Sequence, residues 1–546
     1  MKKFRTITCL LTLGISSGAL SGCKFLDWFK KNKNTEKDPL VIPSVEVESL
    51  NINLPALPTR NVGAIRSDDD FEYIDMYELS DFHGAVNYEQ RDKNDYIGLP
   101  KLATYLDGKR ANNPGGTLVL SSGDMFQGSA DSNLTRGYMV NYAMHYMGFD
   151  AMAIGNHEFD WNTDWLKKNA ELKYNNHTIP FLGANIIKDG AIPSYLQKST
   201  VITRGDYKIG VIGVIGSTLE TSVLKTALNG CEFTRYDDIL SSETERLRTE
   251  EGCKAVVLLA HESAKHIECT TGIDAIFGGH AHEDTIYSYG TIPALATLNY
   301  GQSVAHIALK FNKSTKEFAG VESSYGIEEM EDVASSLQEN ADIKNIMDQY
   351  APAINDIKHI KLGTADASLK FDGALKNICT SAMFDAAVSS AKVNNPDIAT
   401  DKIVAAFHNV NGGIRSDIEK GDVTYGDVYR SFPFDNEIVL IKVTGSQCKA
   451  NLKALKQLGC YRIFEKSDYF TNSDEYYIAT TDYLAFSDSS GFSTLLEKTL
   501  DDSDLIRTGK VVRDEIANRV YQIDNLKNAD LLHKGDYHYA AIPMTF

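Results

Sequence analysis

The stretch FDAMAIGNHEFD, residues 149–160, sets an apolar run directly against a cluster of side chains able to hold a metal. A short β-rich run followed at once by a polar residue is the pattern of a buried strand whose C-terminal end opens into a site. Four other stretches repeat it: EYIDMYELSDFHG at 72–84, TLVLSSGD at 117–124, KAVVLLAHE at 254–262 and IDAIFGGHAHE at 273–283. Together they deliver Asp81 and His83, Asp124, Asn156 and His157, His261, and His280 and His282. In open α/β sheets, ligands gather outside the carboxyl ends of the strands. Five such endings with compatible ligand types point to one shared site.

The donors are carboxylate, imidazole and amide, with no thiolate. That set suits Zn²⁺, Mn²⁺, Fe²⁺, Co²⁺ or Mg²⁺ in a working site better than a structural zinc. Asp81 and His83 sit two apart, as do His280 and His282, and on a strand end side chains two apart point the same way. Asp124 follows Gly123, where the missing side chain admits a close approach. A carboxylate can bridge two cations, and Asp124 is the natural bridge. The ligands suffice for two divalent cations roughly 3.5–4 Å apart, the two-metal geometry of phosphate chemistry. His145, His177 and His266 are read as ordinary structural histidines.

Asp-x-His, Gly-Asp, Asn-His-Glu-Phe-Asp, His and Gly-His-x-His, in this order, resemble the calcineurin-like metallophosphoesterases. The form NHEFD resembles the 5′-nucleotidase/UDP-sugar hydrolase family, and the likeness runs from about residue 71 to 540. It implies one metal site of Asp81, His83, Asp124 and His282, and a second of Asp124, Asn156, His261 and His280. It implies that His157 is catalytic and held by Asp160. A carboxylate on one ring nitrogen fixes the tautomer and raises basicity. The other nitrogen can then stabilise a transferring phosphoryl group or protonate the leaving oxygen. The implied architecture is α/β (α+β): an N-terminal four-layer α/β/β/α metallophosphoesterase sandwich, a linker helix and a C-terminal α/β substrate-recognition domain.

In the second half, NGGIR at 411–415 and SFPFDN at 431–436 resemble the family's substrate domain, in which an arginine clamps the substrate and aromatics stack a base. This implies substrate-binding roles for Asn411, Arg415 and Phe434, with Tyr483 as the second aromatic. The chain departs from the family in three places, the first being Val410, which occupies the position of the usual first Asn of the Asn-x-Gly-Gly-Ile-Arg motif, with Asn411 next. Its helix signature has become KFDGALKNICTSAM, where Asn377 survives and Lys370 lies nearby. In the loop SDSSGF, Ser490 stands where a ribose-binding aspartate is usual, with Asp488 close by.

The chain has 546 residues, a net charge of −19 and 43% hydrophobic content. That is enough for several cores, and the negative balance argues against a long nucleic acid as partner. Residues 1–22 read as an export signal, with a basic start, an apolar stretch and the ending LSGC. That ending resembles the bacterial lipobox, which implies a lipid on Cys23 and membrane anchoring at the periplasmic face of an outer membrane or the cell surface. Residues 23–66 read as a tether, 67–328 as the metallophosphoesterase domain, 329–362 as a linker helix broken at Pro352, and 363–546 as the C-terminal domain. Cys448 with Cys460, and Cys253 with Cys231 or Cys269, are disulfide candidates, with free buried thiols the alternative. The expected function is an exported di-metal phosphohydrolase removing the 5′-phosphate of nucleotides. The alternatives are the same chemistry on cyclic nucleotides, 3′-nucleotides, UDP-sugars, dinucleotides or non-nucleotide monoesters, or a surface nucleotide-binding lipoprotein without turnover.

Overall fold

The computed structural model describes residues 37–90, 94–331, 333–409, 413–450, 460–462, 470–486, 500, 502–526 and 537–539. Residues Leu40–Phe546 form one compact unit. Two sheets stack at its N-terminal end. In the first, Phe71–Glu78, Thr117–Ser121, Ala151–Ala153 and Phe181–Leu182 run parallel, and Ser303–Asn312 pairs antiparallel with Phe71–Glu78. In the second, Tyr207–Ile215, Ala255–His261, Ala275–Gly278 and Ile292–Ala296 run parallel, with antiparallel strands at both edges.

Strand alternation sorts the side chains into layers. Ile74, Met76, Leu118 and Leu120 of the first sheet meet Val211, Val257 and Leu259 of the second in the core between them. The outer face of the first sheet is covered by the helices Gly98–Asn112 and Tyr138–Met147, through Leu99, Leu102, Met139 and Ala143. The outer face of the second is covered by the helix Asp237–Thr249, through Leu240 and Leu247. The result is the four-layer α/β/β/α arrangement. The C-terminal part has a six-stranded mixed sheet centred on Glu437–Thr444 and Glu475–Thr481, against which the helices Ala374–Asn394 and Val512–Ile523 pack. The thiols of Cys231, Cys253, Cys269, Cys379 and Cys448 are free, so none of the candidate disulfides forms among them.

Two sequence expectations fail here. The described part of the tether is not a tether. From Leu40 to Arg66 the chain lies along the protein as a strap with almost no regular structure. Leu40 and Ile42 pack on the C-terminal core, Val45 on both cores, and Leu50, Ile52, Leu54 and Leu57 on the N-terminal one. Val47 is buried at 4% exposure. Asn53 exchanges two hydrogen bonds with Gln349, and Arg60 pairs with Asp107 at 2.7 Å. The spaced apolar residues are anchors rather than spacers, so folded sequence begins about thirty residues before Phe71.

The second failure is at Pro352. A short helix Val333–Ser336 precedes a longer one, Ala341–Lys358, which runs through Pro352 without a break. Asn340 caps it, its side-chain oxygen accepting from the N–H groups of Asp342 and Ile343. An interior proline costs a helix about 3 kcal/mol. Pro352 sits on the exposed side, while Ile343, Ile346, Tyr350, Ile354 and Ile357 are buried. Burial of each such side chain stabilises by roughly 1.5–3 kcal/mol, so packing wins. Pro352→Ala should therefore raise stability by about 1–3 kcal/mol. The check is the midpoint of chemical denaturation; a fall would show that the packed helix depends on the proline.

Candidate metal centre

All five strand endings lie at one edge of the two stacked sheets. The strand Phe71–Glu78 leads into Asp81 and His83, Thr117–Ser121 into Asp124, and Ala151–Ala153 into Asn156 and His157. From the second sheet, Ala255–His261 ends on His261 itself and Ala275–Gly278 leads into His280 and His282. Two clusters form: Asp81, His83 and His282, and Asp124, His261 and His280, the ligand atoms of each lying within 4.8 Å of one another. Asn156 Oδ1 joins the second, 3.1 Å from His261 Nε2 and 3.0 Å from His280 Nδ1.

The pairs do not meet by strand alternation. Asp81, His83, Asp124, His280 and His282 all have left-handed backbone, with φ of 52°, 48°, 55°, 66° and 54°. Each is a turn beyond a strand end, and the turns aim the side chains at a common point. Left-handed backbone costs a non-glycine residue on the order of 1–2 kcal/mol, and such strain gathers at functional sites. Gly123, also left-handed, permits the tightest of these turns: a Cβ there would stand 2.6 Å from the Gly155 nitrogen. The close approach anticipated at Gly123 is therefore by backbone.

Hydrogen bonds around the centre fix which ring nitrogen faces it. His83 Nδ1 meets the Gln127 carbonyl at 2.9 Å and His261 Nδ1 the Ser122 carbonyl at 2.8 Å. A nitrogen against a carbonyl carries its hydrogen, so in the neutral ring Nε2 presents a lone pair inward. There His261 Nε2 meets Asp124 Oδ2 at 3.1 Å, and His83 Nε2 meets His282 Nε2 at 3.1 Å. Imidazole nitrogens, carboxylates and an amide oxygen converging in a buried space are a donor set that fits divalent metal. The two imidazoles differ in charge. Burial disfavours a charged His261, but the carboxylate of Asp124 overcomes it and lifts the pKa to about 10. Burial wins at His83, which falls to about 3.

His157 stands beside the clusters. Its Nδ1 is 2.9 Å from Asp160 Oδ2, and its backbone N–H donates to Asp124 Oδ1 at 2.8 Å. Burial opposes its charge, yet Asp160 and Asp124 raise its pKa to about 9. The Phe434 ring from the C-terminal part stacks on His157 at 6.0 Å between centroids, and the Arg415 guanidinium lies 5.1 Å over the same Phe434 ring. Tyr483 is partly buried at the start of the helix Asp482–Phe486. Burial raises its hydroxyl pKa, with Asp160 adding to the shift and Arg415 opposing it. Arg415, Phe434 and Tyr483 thus gather around His157 and Asp160. Asn411, Asp488, Ser490 and Cys23 lie outside the described residues.

The sequence reading passed over Glu158 and Asn299. Glu158, 3% exposed, accepts from the N–H groups of Asp124, Met125 and Gly155 at 2.8, 2.9 and 2.8 Å. It braces two of the segments that reach the second cluster, those carrying Asp124 and Asn156. Its one sequence signal is its place inside the run NHEFD that follows the strand Ala151–Ala153. The Asn299 amide meets His282 Nδ1 at 3.0 Å and orients that ring. Glu158→Ala would leave three buried donors without an acceptor, at about 1–3 kcal/mol each. The expected result is a loss of at least about 3 kcal/mol in denaturant unfolding; a loss under about 1 kcal/mol would show that Glu158 is not the brace.

Two family models match the chain: the calcineurin-like phosphoesterase model over residues 77–284 and the 5′-nucleotidase C-terminal domain model over 359–460. Among curated proteins, the endonuclease YhcR of Bacillus subtilis is 23% identical over 409 residues, covering 69% of this chain and 32% of that protein. The chain therefore spans about a third of that relative's length. A snake venom 5′-nucleotidase from Gloydius brevicauda is 26% identical over 419 residues, covering 69% of each chain. Among solved structures, a 5′-nucleotidase precursor from Thermus thermophilus superposes with a TM-score of 0.64 at 18% identity, covering 83% of this chain and 97% of that one. The chain belongs to the calcineurin-like phosphoesterases that carry a 5′-nucleotidase C-terminal domain.

Proposed function

We propose that the chain is an exported, di-metal phosphohydrolase that removes the 5′-phosphate of nucleotides. The observation that carries the reading is the pair of ligand clusters with the His157–Asp160 pair at their edge and Phe434 stacked on that histidine. Asp81, His83, Asp124 and His282 would hold one cation, and Asp124, Asn156, His261 and His280 the other. Divalent cations so held supply Lewis acidity toward phosphate oxygens and lower the pKa of water. Asp160 accepts from His157 Nδ1–H, which leaves Nε2 to place a proton on the leaving oxygen. Arg415 offers an anion a fixed positive charge, and Phe434 offers a base a flat apolar face. The name of the venom relative supports a nucleotide monoester as substrate. The name of the Bacillus relative favours a second reading, the same chemistry on a phosphodiester.

The test is hydrolysis of AMP and of bis-p-nitrophenyl phosphate by chelated protein and after return of Mn²⁺, Zn²⁺, Co²⁺ or Mg²⁺. Chelation should abolish turnover and metal should restore it. His157→Ala should keep its metal content and lose roughly 10²–10⁴-fold in kcat. Full activity after verified metal removal refutes the reading. Cleavage of the diester alone moves the chain to the second reading, and loss of metal by His157→Ala makes that histidine a ligand.

Export and anchoring rest on the LSGC ending at residues 20–23 and the charged stretch that follows it. Cys23→Ser should release the protein from membranes or stop its maturation, as read by fractionation. Unchanged attachment of that variant would refute lipid anchoring.

A further inference from the structure

Glu78 ends the first strand directly beneath the centre, and nothing in the proposed chemistry uses it. It continues the alternation that places Ile74 and Met76 in the core between the sheets. It is wholly buried, at 0% exposure. Its Oε1 accepts from the Ser122 N–H at 2.9 Å, while its Oε2 is buried with no hydrogen-bond partner. A buried carboxyl group with one orphaned oxygen is costly in either charge state, and an apolar residue at this point would pack without that penalty. A residue kept here against that cost needs a task.

The task lies one residue along. The Ser122 carbonyl accepts from His261 Nδ1–H at 2.8 Å, and His261 Nε2 faces Asp124 and Asn156 in the second cluster. Glu78 therefore grips the N–H of the same residue whose carbonyl sets the tautomer and tilt of His261. Ser122 Oγ also donates to the Phe277 carbonyl at 3.1 Å, which ties the residue to the second sheet. We infer that Glu78 is a positioning residue for the second metal cluster, acting through Ser122 on His261. The inference rests on the metal-centre reading above.

The chemistry of the contact predicts what can replace it. The Ser122 N–H needs an acceptor oxygen at this point and no charge. Burial itself raises the Glu78 pKa, to about 8, against the opposing pull of the Ser122 bonds. A glutamine offers the same oxygen in the same shape, whereas leucine or methionine fills the space and leaves the donor orphaned. Partners that orient a metal-binding histidine typically matter 10–100-fold in metal affinity.

The experiment titrates chelated full-length protein with Co²⁺, following the visible absorption band and the heat of binding for each equivalent. The parent, Glu78→Gln, Glu78→Leu and Glu78→Met are compared, with folding of each checked by circular dichroism. Methionine, the closer match in length, serves if the leucine variant does not fold. The parent should bind two equivalents. In Glu78→Gln both should stay within about threefold of the parent, and in the leucine or methionine variant one equivalent should weaken by roughly 10–100-fold while the other does not. Parent-like affinity for both equivalents in the apolar variant overturns the inference. So does an equal weakening in Glu78→Gln, which would assign the effect to carboxylate charge. A parent that binds no second equivalent defeats the two-metal reading itself, and this inference with it.

Discussion

The loop from Ser121 to Met125 is gripped by two buried carboxyl groups, and the geometry of the whole centre hangs on that grip. Glu78 takes the Ser122 N–H, and Glu158 takes those of Asp124 and Met125. Between them the chain makes left-handed turns at Gly123 and Asp124. Each such hydrogen bond contributes about 0.5–1.5 kcal/mol, and more where the acceptor is ionised, so the set is comparable with the strain of such a turn. Held this way, Asp124 sets two other positions at once. One carboxylate oxygen faces His261, and the other receives the His157 backbone N–H. The ligand cluster and the proton-bearing histidine are thus registered to a single side chain.

The C-terminal part reaches this centre through a few polar contacts. The Pro433 carbonyl accepts from the Asn133 side chain at 3.0 Å, and Asp435 lies between Arg136 and Arg513. Lys358, the last residue of the long helix, pairs with Asp131 at 2.6 Å. The contacts of Pro433 and Asp435 flank Phe434, whose ring stacks on His157. Exposed ion pairs are worth little, but Asp435 is partly buried and held by two guanidinium groups, and against the effect of burial Arg513 and Arg136 drive its pKa down. Apolar packing adds a longer-range tie. The same strap presents Leu40 and Ile42 to one core and Leu50 to Leu57 to the other, so it spans both parts of the unit.

The ligands were legible in the sequence because the chemistry that makes them also marks them. A buried parallel strand reads as an uninterrupted apolar run, and its end is where a polar residue becomes conspicuous. Asp81, Asp124, Asn156 and the four histidines all announce themselves in that way. Their local geometry did not, since alternation along a strand says nothing about turns past its end. Glu78 and Glu158 escaped notice because each acts on backbone N–H groups, which have no sequence signature. The strap was misread for a related reason. Prolines and missing periodicity do describe irregular backbone, but irregular backbone can be pinned by single apolar anchors such as Val47. At Pro352 the local rule was sound and lost to five buried side chains on the opposite face of the helix.

Local rules fail most densely in one place, and that pattern is itself informative. Five non-glycine residues in left-handed turns, the like-charged carboxylates of Asp81 and Asp124 and an orphaned carboxyl oxygen all lie where the strand ends of two sheets meet. Each raises the free energy of the bare folded chain. The buried apolar core between the sheets is what permits them. A cation that binds the folded chain and not the unfolded one returns part of that free energy. The carboxylates of Asp81 and Asp124, which repel one another in the bare centre, are among the groups that would hold the metal, so folding and metal binding are coupled through the same atoms. Relaxing the turns or removing one of those charges would make a more stable fold with a poorer site.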